Sequence, residues 1–200
     1  KNSFILSNQR ISLYCTTIIP RLFLKYSFYK GVLLMDISHY TSILSNRLNS
    51  YFDIQYNNQL HSNTFNIFAS TKLVLGRTMI SQKDIIDKFE SNEYVLVKYF
   101  ESIDDYKIDD FIEYIKTTPN LLVKPHKDHK SSYINAIIVC NTLPNKSTIK
   151  KIKSFKYEKI YKFYFQGFCE IRLFIVGLSD NLVESNKAGK KLKKVYLPTS

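Results

Sequence analysis

The stretch Tyr133-Ile134-Asn135-Ala136-Ile137-Ile138-Val139-Cys140 decides the fold class, because it is apolar almost throughout. A strand that is buried on both faces of a sheet carries such a continuous run, whereas a half-exposed strand alternates with polar residues. The run is bounded by the polar stretch 124–132 and by a turn at 141–144. We therefore predict that residues 133–140 form the central strand of the domain.

Shorter periodic segments flank this strand. Asp36 is a suitable cap for a helix whose apolar residues recur at helical spacing from Ile37 to Tyr51. In chain order, the predicted elements are this helix, strands at 52–56, 65–69 and 73–76, a short helix over 81–89, a strand over 94–100, a helix over 108–115, a chain break at Pro119 and Asn120, a short strand over 121–123, a helix over 147–153, and a hairpin of strands 158–165 and 168–176 around Gln166-Gly167.

Strands and helices interleave without a regular strand-helix-strand rhythm. We therefore expect an α+β fold, with a mixed and largely antiparallel sheet and three to four short helices. No segment between residues 35 and 200 has the length and composition of a linker. This range is predicted to be a single domain.

The first 34 residues differ in composition from the rest, with five basic residues and no Asp or Glu. The basic residues interrupt every window long enough to span a membrane, and no small-residue cleavage site follows the apolar stretch. Met35 is the first methionine, and codons for residues 30–32 can form a purine-rich ribosome-binding sequence before it. We expect residues 1–34 to be translated upstream sequence outside the fold.

Charge is distributed unevenly along a chain whose formal net charge is +12. Residues 35–120 carry eight basic and 12 acidic side chains, whereas residues 121–200 carry 16 basic and five acidic ones. Such an asymmetry favours an anionic partner for the basic half, either nucleic acid or a phosphate-rich ligand. The alternative is self-association, in which the acidic half of one copy meets the basic half of another.

Lysines and aromatic residues are interleaved between Lys150 and Phe168, a pattern that suits single-stranded nucleic acid because lysines contact phosphates and rings stack on bases. Strand alternation over 157–165 predicts instead that most of these rings face the core. Arg172 is the only arginine after residue 120, so sequence-specific base readout is not expected. The candidate anion-binding residues are Lys124, Lys127, Lys130, Lys150, Lys153, Lys156 and Lys162.

The polar stretch 124–132 is the densest candidate for chemistry. His129 precedes Ser132 by three residues, which allows a base and a nucleophile, and Glu170 and Arg172 share one face of a predicted strand. An enzyme or small-ligand site built from His129, Ser132, Glu170 and Arg172 is therefore an alternative to anion binding, and whether the protein is an enzyme stays open. His126 and His129 lie three residues apart, which is compatible with metal binding, but no further ligand is visible in the sequence and no metal is expected. No cofactor is expected either, since the segment 186–191 lacks the first glycine and the hydroxyl residue of a phosphate-binding loop.

Cys140 and Cys169 lie in apolar runs, which predicts buried reduced thiols and a cytoplasmic location.

Three separated segments resemble an uncharacterised prokaryotic domain of unknown function: Val123-Lys-Pro with His129 and Ser131-Ser-Tyr133, then Gly167-Phe-Cys-Glu-Ile-Arg172, then Asn186 with Gly189. The resemblance covers roughly residues 35–198 and implies no known activity. It singles out Gly167, Asn186 and Gly189 as structural motif positions.

Overall fold

The computed structural model describes residues 28–29, 32–33, 35–78 and 85–199. The chain divides into two compact units, Lys1–Leu33 and Leu34–Ser200. In the first unit, β1 (Phe28–Tyr29) and β2 (Val32–Leu33) form an antiparallel pair. The expectation that residues 1–34 are translated upstream sequence lies almost entirely outside the described residues and stays a prediction.

Among its described residues, the second unit contains one seven-stranded mixed sheet and four helices, which confirms the α+β prediction. The strand order is β3-β4-β5-β6-β8-β7, and β9 also pairs with β8. In chain order, the elements are α1 (Ile37–Leu48), β3 (Asp53–Leu60), β4 (Asn63–Thr78), β5 (Ile85–Tyr99), α2 (Asp105–Leu122), β6 (His129–Cys140), α3 (Lys146–Ser154), β7 (Glu158–Ile160), β8 (Phe168–Gly177), β9 (Leu182–Ser185) and a 3-10 helix (Lys190–Tyr196).

Strand β6 is the central strand, as its apolar run predicts. It pairs parallel with β5 on one side and with β8 on the other, while β3, β4 and β5 form an antiparallel meander. Strands β7 and β9 both pair antiparallel with the outer edge of β8. The connections from β5 to β6 and from β6 towards β8 pass through α2 and α3.

Alternate residues of β6 are buried against different helices. Ile134 and Ile138 pack into a cluster with α2 and α3, whereas Ile137 and Val139 pack into a second cluster with α1 and the 3-10 helix. Because side chains alternate across a strand, these clusters lie on opposite faces of the sheet, called here the α2–α3 face and the α1 face. Full burial of each such side chain stabilises the fold by about 1.5–3 kcal/mol.

The three described α-helices begin at side-chain caps. Asp36 accepts a hydrogen bond from the backbone N–H of His39 at 2.7 Å, as predicted for α1, and Asp104 accepts one from Lys107 at 2.8 Å before α2. The backbone N–H of His39 lowers the pKa of the Asp36 carboxyl. No helix among the described residues is long and apolar enough to cross a membrane.

The helix predicted over 81–89 is wrong where it can be compared, because Ile85 begins strand β5; residues 81–84 lie outside the described part of the chain. Residues 85–97 pair with β4, so that Phe89 stands opposite Leu75. The spacing of the apolar residues fits a helix as well as a strand, and the long partner strand decides between them. The residues predicted as a separate strand at 73–76 belong to the second half of β4, which continues to Thr78.

The predicted break at Pro119 and strand at 121–123 are also wrong, because α2 continues to Leu122. Proline has no N–H to donate to the carbonyl four residues earlier, which is that of Ile115. The Thr118 hydroxyl donates to this carbonyl at 2.7 Å instead. The helix therefore keeps its last turn without leaving a buried carbonyl unpaired.

The hairpin predicted around Gln166-Gly167 exists, but its first strand is short. Strand β7 ends at Ile160, and residues 161–167 form a turn and not the second half of a strand. The Phe168–Gly177 strand agrees closely with the predicted 168–176.

Candidate functional site

The sheet separates the four residues considered for catalysis into two pairs. Ser132 lies on the α2–α3 face with its hydrogen-bond partner His129, while Glu170 and Arg172 lie on the α1 face. The structure therefore does not bring these four side chains into one pocket.

His129 and Ser132 hydrogen-bond to each other, with 2.8 Å between the ring Nε2 and the hydroxyl Oγ. The ring Nδ1 lies 2.6 Å from the carbonyl oxygen of Gln166. Because a carbonyl only accepts, Nδ1 carries the proton, and in the neutral ring Nε2 accepts from Ser132. This is the geometry of a nucleophile and its base, but His129 is 3 % exposed and Ser132 is fully buried. The pair instead ties β6 to the connection between β7 and β8.

That connection, residues 161–167, is called here the aromatic loop. Three successive non-glycine residues have positive φ angles: Lys162 at 44°, Phe163 at 52° and Tyr164 at 69°. The left-handed region is strained for such residues, and it persists only where surrounding contacts fix it. Backbone hydrogen bonds within the loop do so, among them those from the N–H of Phe165 to the carbonyl of Lys162 at 2.9 Å and from the N–H of Gly167 to Tyr164 at 3.0 Å.

Gly167 lets the loop approach β6 closely. Its φ is +70°, and a Cβ at this position would lie 2.3 Å from the backbone carbonyl oxygen of Lys130. A side chain is therefore excluded here both by conformation and by space. Together with the bond from His129 to Gln166, this contact holds the end of the loop against the first residues of β6.

The loop presents three neighbouring aromatic rings to solvent. Phe163 is 92 % exposed, Phe165 83 % and Tyr164 56 %. The prediction that most rings of 157–165 face the core holds for Tyr157 and Tyr161, which pack against the α2–α3 cluster, and is wrong for Phe163 and Phe165. The reason is that strand alternation stops at the loop. Exposed rings in a held backbone form a surface on which a planar ligand can stack.

Lysines surround these rings. A cleft of about 310 Å³ lies between the loop and the start of β6, and its lining includes Tyr164, Phe165, Phe168, Lys127 and Lys130. One carboxylate, that of Asp128, also lines it. The cleft therefore combines apolar ring faces with two ammonium groups.

All the predicted anion-binding lysines are exposed, but they lie in different places. Lys127 and Lys130 lie beside the aromatic loop, Lys162 is part of it, and Lys124 follows α2. Lys150, Lys153 and Lys156 lie on α3 or directly after it, at exposed positions. Of these seven, Lys153 forms a 3.0 Å ion pair with Glu184.

Arg172 is engaged within the protein. Its Nη1 lies 3.2 Å from Glu93 and its Nε 3.6 Å from Glu170, and its guanidinium stacks 3.8 Å above the Tyr133 ring. Asn135 donates a further hydrogen bond to Glu93 at 2.7 Å. The predicted pairing of Glu170 with Arg172 is present, and it belongs to a cross-strand cluster that leaves Arg172 poorly placed to read a base.

Asn186 explains the third segment of the resemblance. Its amide oxygen accepts from the N–H of Leu173 and of Gly189 at 3.2 and 3.0 Å, and its amide nitrogen donates to the carbonyls of Phe155 and Ile171 at 3.3 and 3.1 Å. The side chain thus fills the gap between β7 and β9 on the edge of β8. A Cβ at Gly189 would lie 2.6 Å from the Phe174 ring. Both residues are structural.

Neither of the two cysteine thiols in the described part of the chain is suited to chemistry. Cys140 and Cys169 are free and buried, and burial raises the pKa of each to about 12. Within residues 35–78 and 85–199, no group of three or more His, Cys, Asp and Glu side chains is placed to hold a metal ion.

Sequence reasoning missed two sets of residues. Glu93 and Asn135 join Arg172 only through cross-strand register, which spacing along the chain does not reveal. One feature of the sequence could have indicated that Phe163 and Phe165 are exposed. Gly167, directly before β8, adopts a left-handed backbone conformation, which is typical of a turn and not of a continuing strand.

Comparison with known proteins gives one match. No curated protein and no solved structure matches the chain. The family model described as Domain of unknown function (DUF8052) matches residues 36–198, which includes every residue of the aromatic loop, the His129–Ser132 pair and the Asn186–Gly189 turn. The chain therefore belongs to the DUF8052 family of domains of unknown function.

Proposed function

We propose that this domain binds single-stranded nucleic acid through the aromatic loop and the lysines around it. The observation that carries the proposal is the exposure of Phe163, Tyr164 and Phe165 on a backbone held against β6. A loop backbone held in this way presents the rings without losing backbone conformational entropy on binding. Base stacking on an aromatic side chain contributes about 1–3 kcal/mol per base.

The shape of the site favours nucleic acid over a lipid surface. The 310 Å³ cleft lets a planar base lie against Tyr164, Phe165 or Phe168, while Lys127 and Lys130 contact its phosphates. A membrane-inserting loop needs only a protruding apolar tip and makes no use of a cleft. The proposed site therefore binds bases and phosphates together.

The proposed binding has little sequence preference. Lysine contacts phosphate as a point charge, whereas arginine reads base edges with two parallel hydrogen bonds. The one arginine of the basic half, Arg172, is occupied by Glu93, Glu170 and Tyr133. A cytoplasmic location belongs to the same proposal, and the buried free thiols of Cys140 and Cys169 support it.

Fluorescence anisotropy with the full chain and a labelled 20-nucleotide single strand of mixed sequence tests the proposal. Phe163→Ser combined with Phe165→Ser should weaken binding at least tenfold, because two stacking surfaces are lost. Tyr106→Ser is the matched control, since Tyr106 is 79 % exposed on α2 and should not contribute. Equal affinity of the double variant and the wild type overturns the proposal.

A salt series and a lipid control complete the test. Phosphate contacts by Lys127, Lys130 and Lys162 give a slope of log affinity against log salt of about −2, so affinity falls roughly 20-fold between 50 and 200 mM salt. Vesicles containing phosphatidylserine should not be bound by the loop. Vesicle binding that Phe163→Ser abolishes, without oligonucleotide binding, assigns the loop to membranes instead.

A further inference from the structure

A second group of lysines lines a groove beside strand β9. Lys153, Lys187, Lys190 and Lys193 line this groove, which has a volume of about 350 Å³ and is called here the lysine groove. It is built from the end of α3, the turn after β9 and the 3-10 helix. Only Lys153 of these four is among the anion-binding residues predicted from the sequence.

The lysine groove carries uncompensated positive charge. Its one carboxylate, Glu184, accepts from Lys153 at 3.0 Å and from Lys193 at 2.9 Å. Lys187 and Lys190 are exposed, and their ammonium groups make no hydrogen bond or ion pair among the described residues. Four ammonium groups around one carboxylate favour an anionic occupant.

A neutral hollow extends from the lysine groove to the start of β7. The hollow has a volume of about 510 Å³, and it shares Asn186 and Lys187 with the groove. Lys156 also lines it, as do the carboxylates of Glu158 and Glu170, so positive and negative side chains are matched in number. Its other end is the start of β7, and the aromatic loop follows β7 directly.

The separation of the two ends fits a linear ligand. The aromatic loop is anchored at Phe168, and Asn186 is bonded to Leu173, five residues further along β8. At about 3.3 Å per residue, this distance is roughly 17 Å. A stacked nucleic-acid strand advances about 3.4 Å per nucleotide, so roughly five nucleotides span the gap.

We propose that the bound strand extends from the aromatic loop along the outer edge of β7 into the lysine groove, so that Lys187 and Lys190 contact phosphates about five nucleotides from the stacked bases. This inference rests on the function proposed above and defines its ligand as an extended polyanion. A free phosphate or a mononucleotide occupies only one end.

The test compares labelled oligothymidylates of four and 16 nucleotides, again by anisotropy with the full chain. The wild type should bind the 16-mer at least tenfold more tightly than the 4-mer. Lys187→Gln combined with Lys190→Gln should remove most of this difference and leave the affinity for the 4-mer within twofold. The same double variant should make the salt slope for the 16-mer shallower by about 1.4.

Lys107→Gln combined with Lys116→Gln is the matched control, because it removes two positive charges from α2 and should leave both affinities unchanged. If the groove variant binds both lengths as the wild type does, the groove is not part of the path, and the function proposed for the loop still stands. If the wild type binds neither oligothymidylate, both proposals fail together.

Discussion

Replacement of Asn186 should destabilise the domain more than almost any other polar substitution. The side chain is 1 % exposed and makes four hydrogen bonds to backbone groups of four different residues. Each such bond contributes about 1 kcal/mol net, so Asn186→Ala should lower the free energy of unfolding by about 4 kcal/mol. Asn186→Leu should lower the free energy of unfolding at least as much, because the leucine side chain also prevents water from hydrogen-bonding to the backbone groups that lose their partner.

Urea denaturation followed by circular dichroism measures the loss. With a slope of about 2 kcal/mol per molar urea, a loss of 4 kcal/mol moves the midpoint down by about 2 M. Asn49→Ala is the control, since Asn49 is exposed after α1 and its replacement should change stability by less than about 0.5 kcal/mol. A midpoint within 0.5 M of the wild type for both Asn186 variants would refute the view that this side chain stabilises the edge of β8 between β7 and β9.

Three further substitutions test individual contacts. Gly167→Ala should cost well over 1 kcal/mol in thermal or urea unfolding, because the new Cβ meets the Lys130 carbonyl at 2.3 Å and φ is +70°. Burial alone would raise the pKa of Glu90, but hydrogen bonds to its carboxylate outweigh this effect and lower the pKa to about 2. The ionised form therefore contributes stability above pH 4.5 that is lost as the pH falls towards 2. Glu90→Gln should flatten this part of the plot of unfolding free energy against pH, and an unchanged plot would contradict the role of Glu90. Thr118→Val should cost about 1 kcal/mol by leaving the Ile115 carbonyl unpaired, and no change in the unfolding midpoint would show that the helix does not need this bond.

The fold was predictable where one local signal dominates. The apolar run at 133–140 identifies the central strand because only burial on both faces tolerates it, and Asp36 locates the start of α1. The spacing of Ile85 and Phe89 fits the period of a helix as well as that of a strand, so it does not predict the element correctly. Pairing with β4, which joins residues far apart in the chain, decides the matter.

The candidate site was only partly predictable for the same reason. The sequence places His129 near Ser132 and Glu170 beside Arg172, and both pairs exist. That they lie on opposite faces depends on the register of β6 with β8. The exposure of Phe163 depends on its left-handed backbone conformation, which a phenylalanine in the sequence does not predict.

The central position of β6 also favours one order of assembly. Strands β3 and β4 are joined by a two-residue turn between Leu60 and Asn63. In contrast, the chain between β5 and β6 includes α2, and the chain between β6 and β8 includes α3, so both parallel pairings join distant segments. Short loops close with less entropic cost than long ones, so the β3–β5 meander can form early. Until β6 arrives, the inner edge of β5 has unpaired backbone groups, which is a site for pairing with another nascent chain. Strand β6 therefore does more than fill the core, because its pairing with β5 covers the strand edge at which intermolecular pairing would otherwise start.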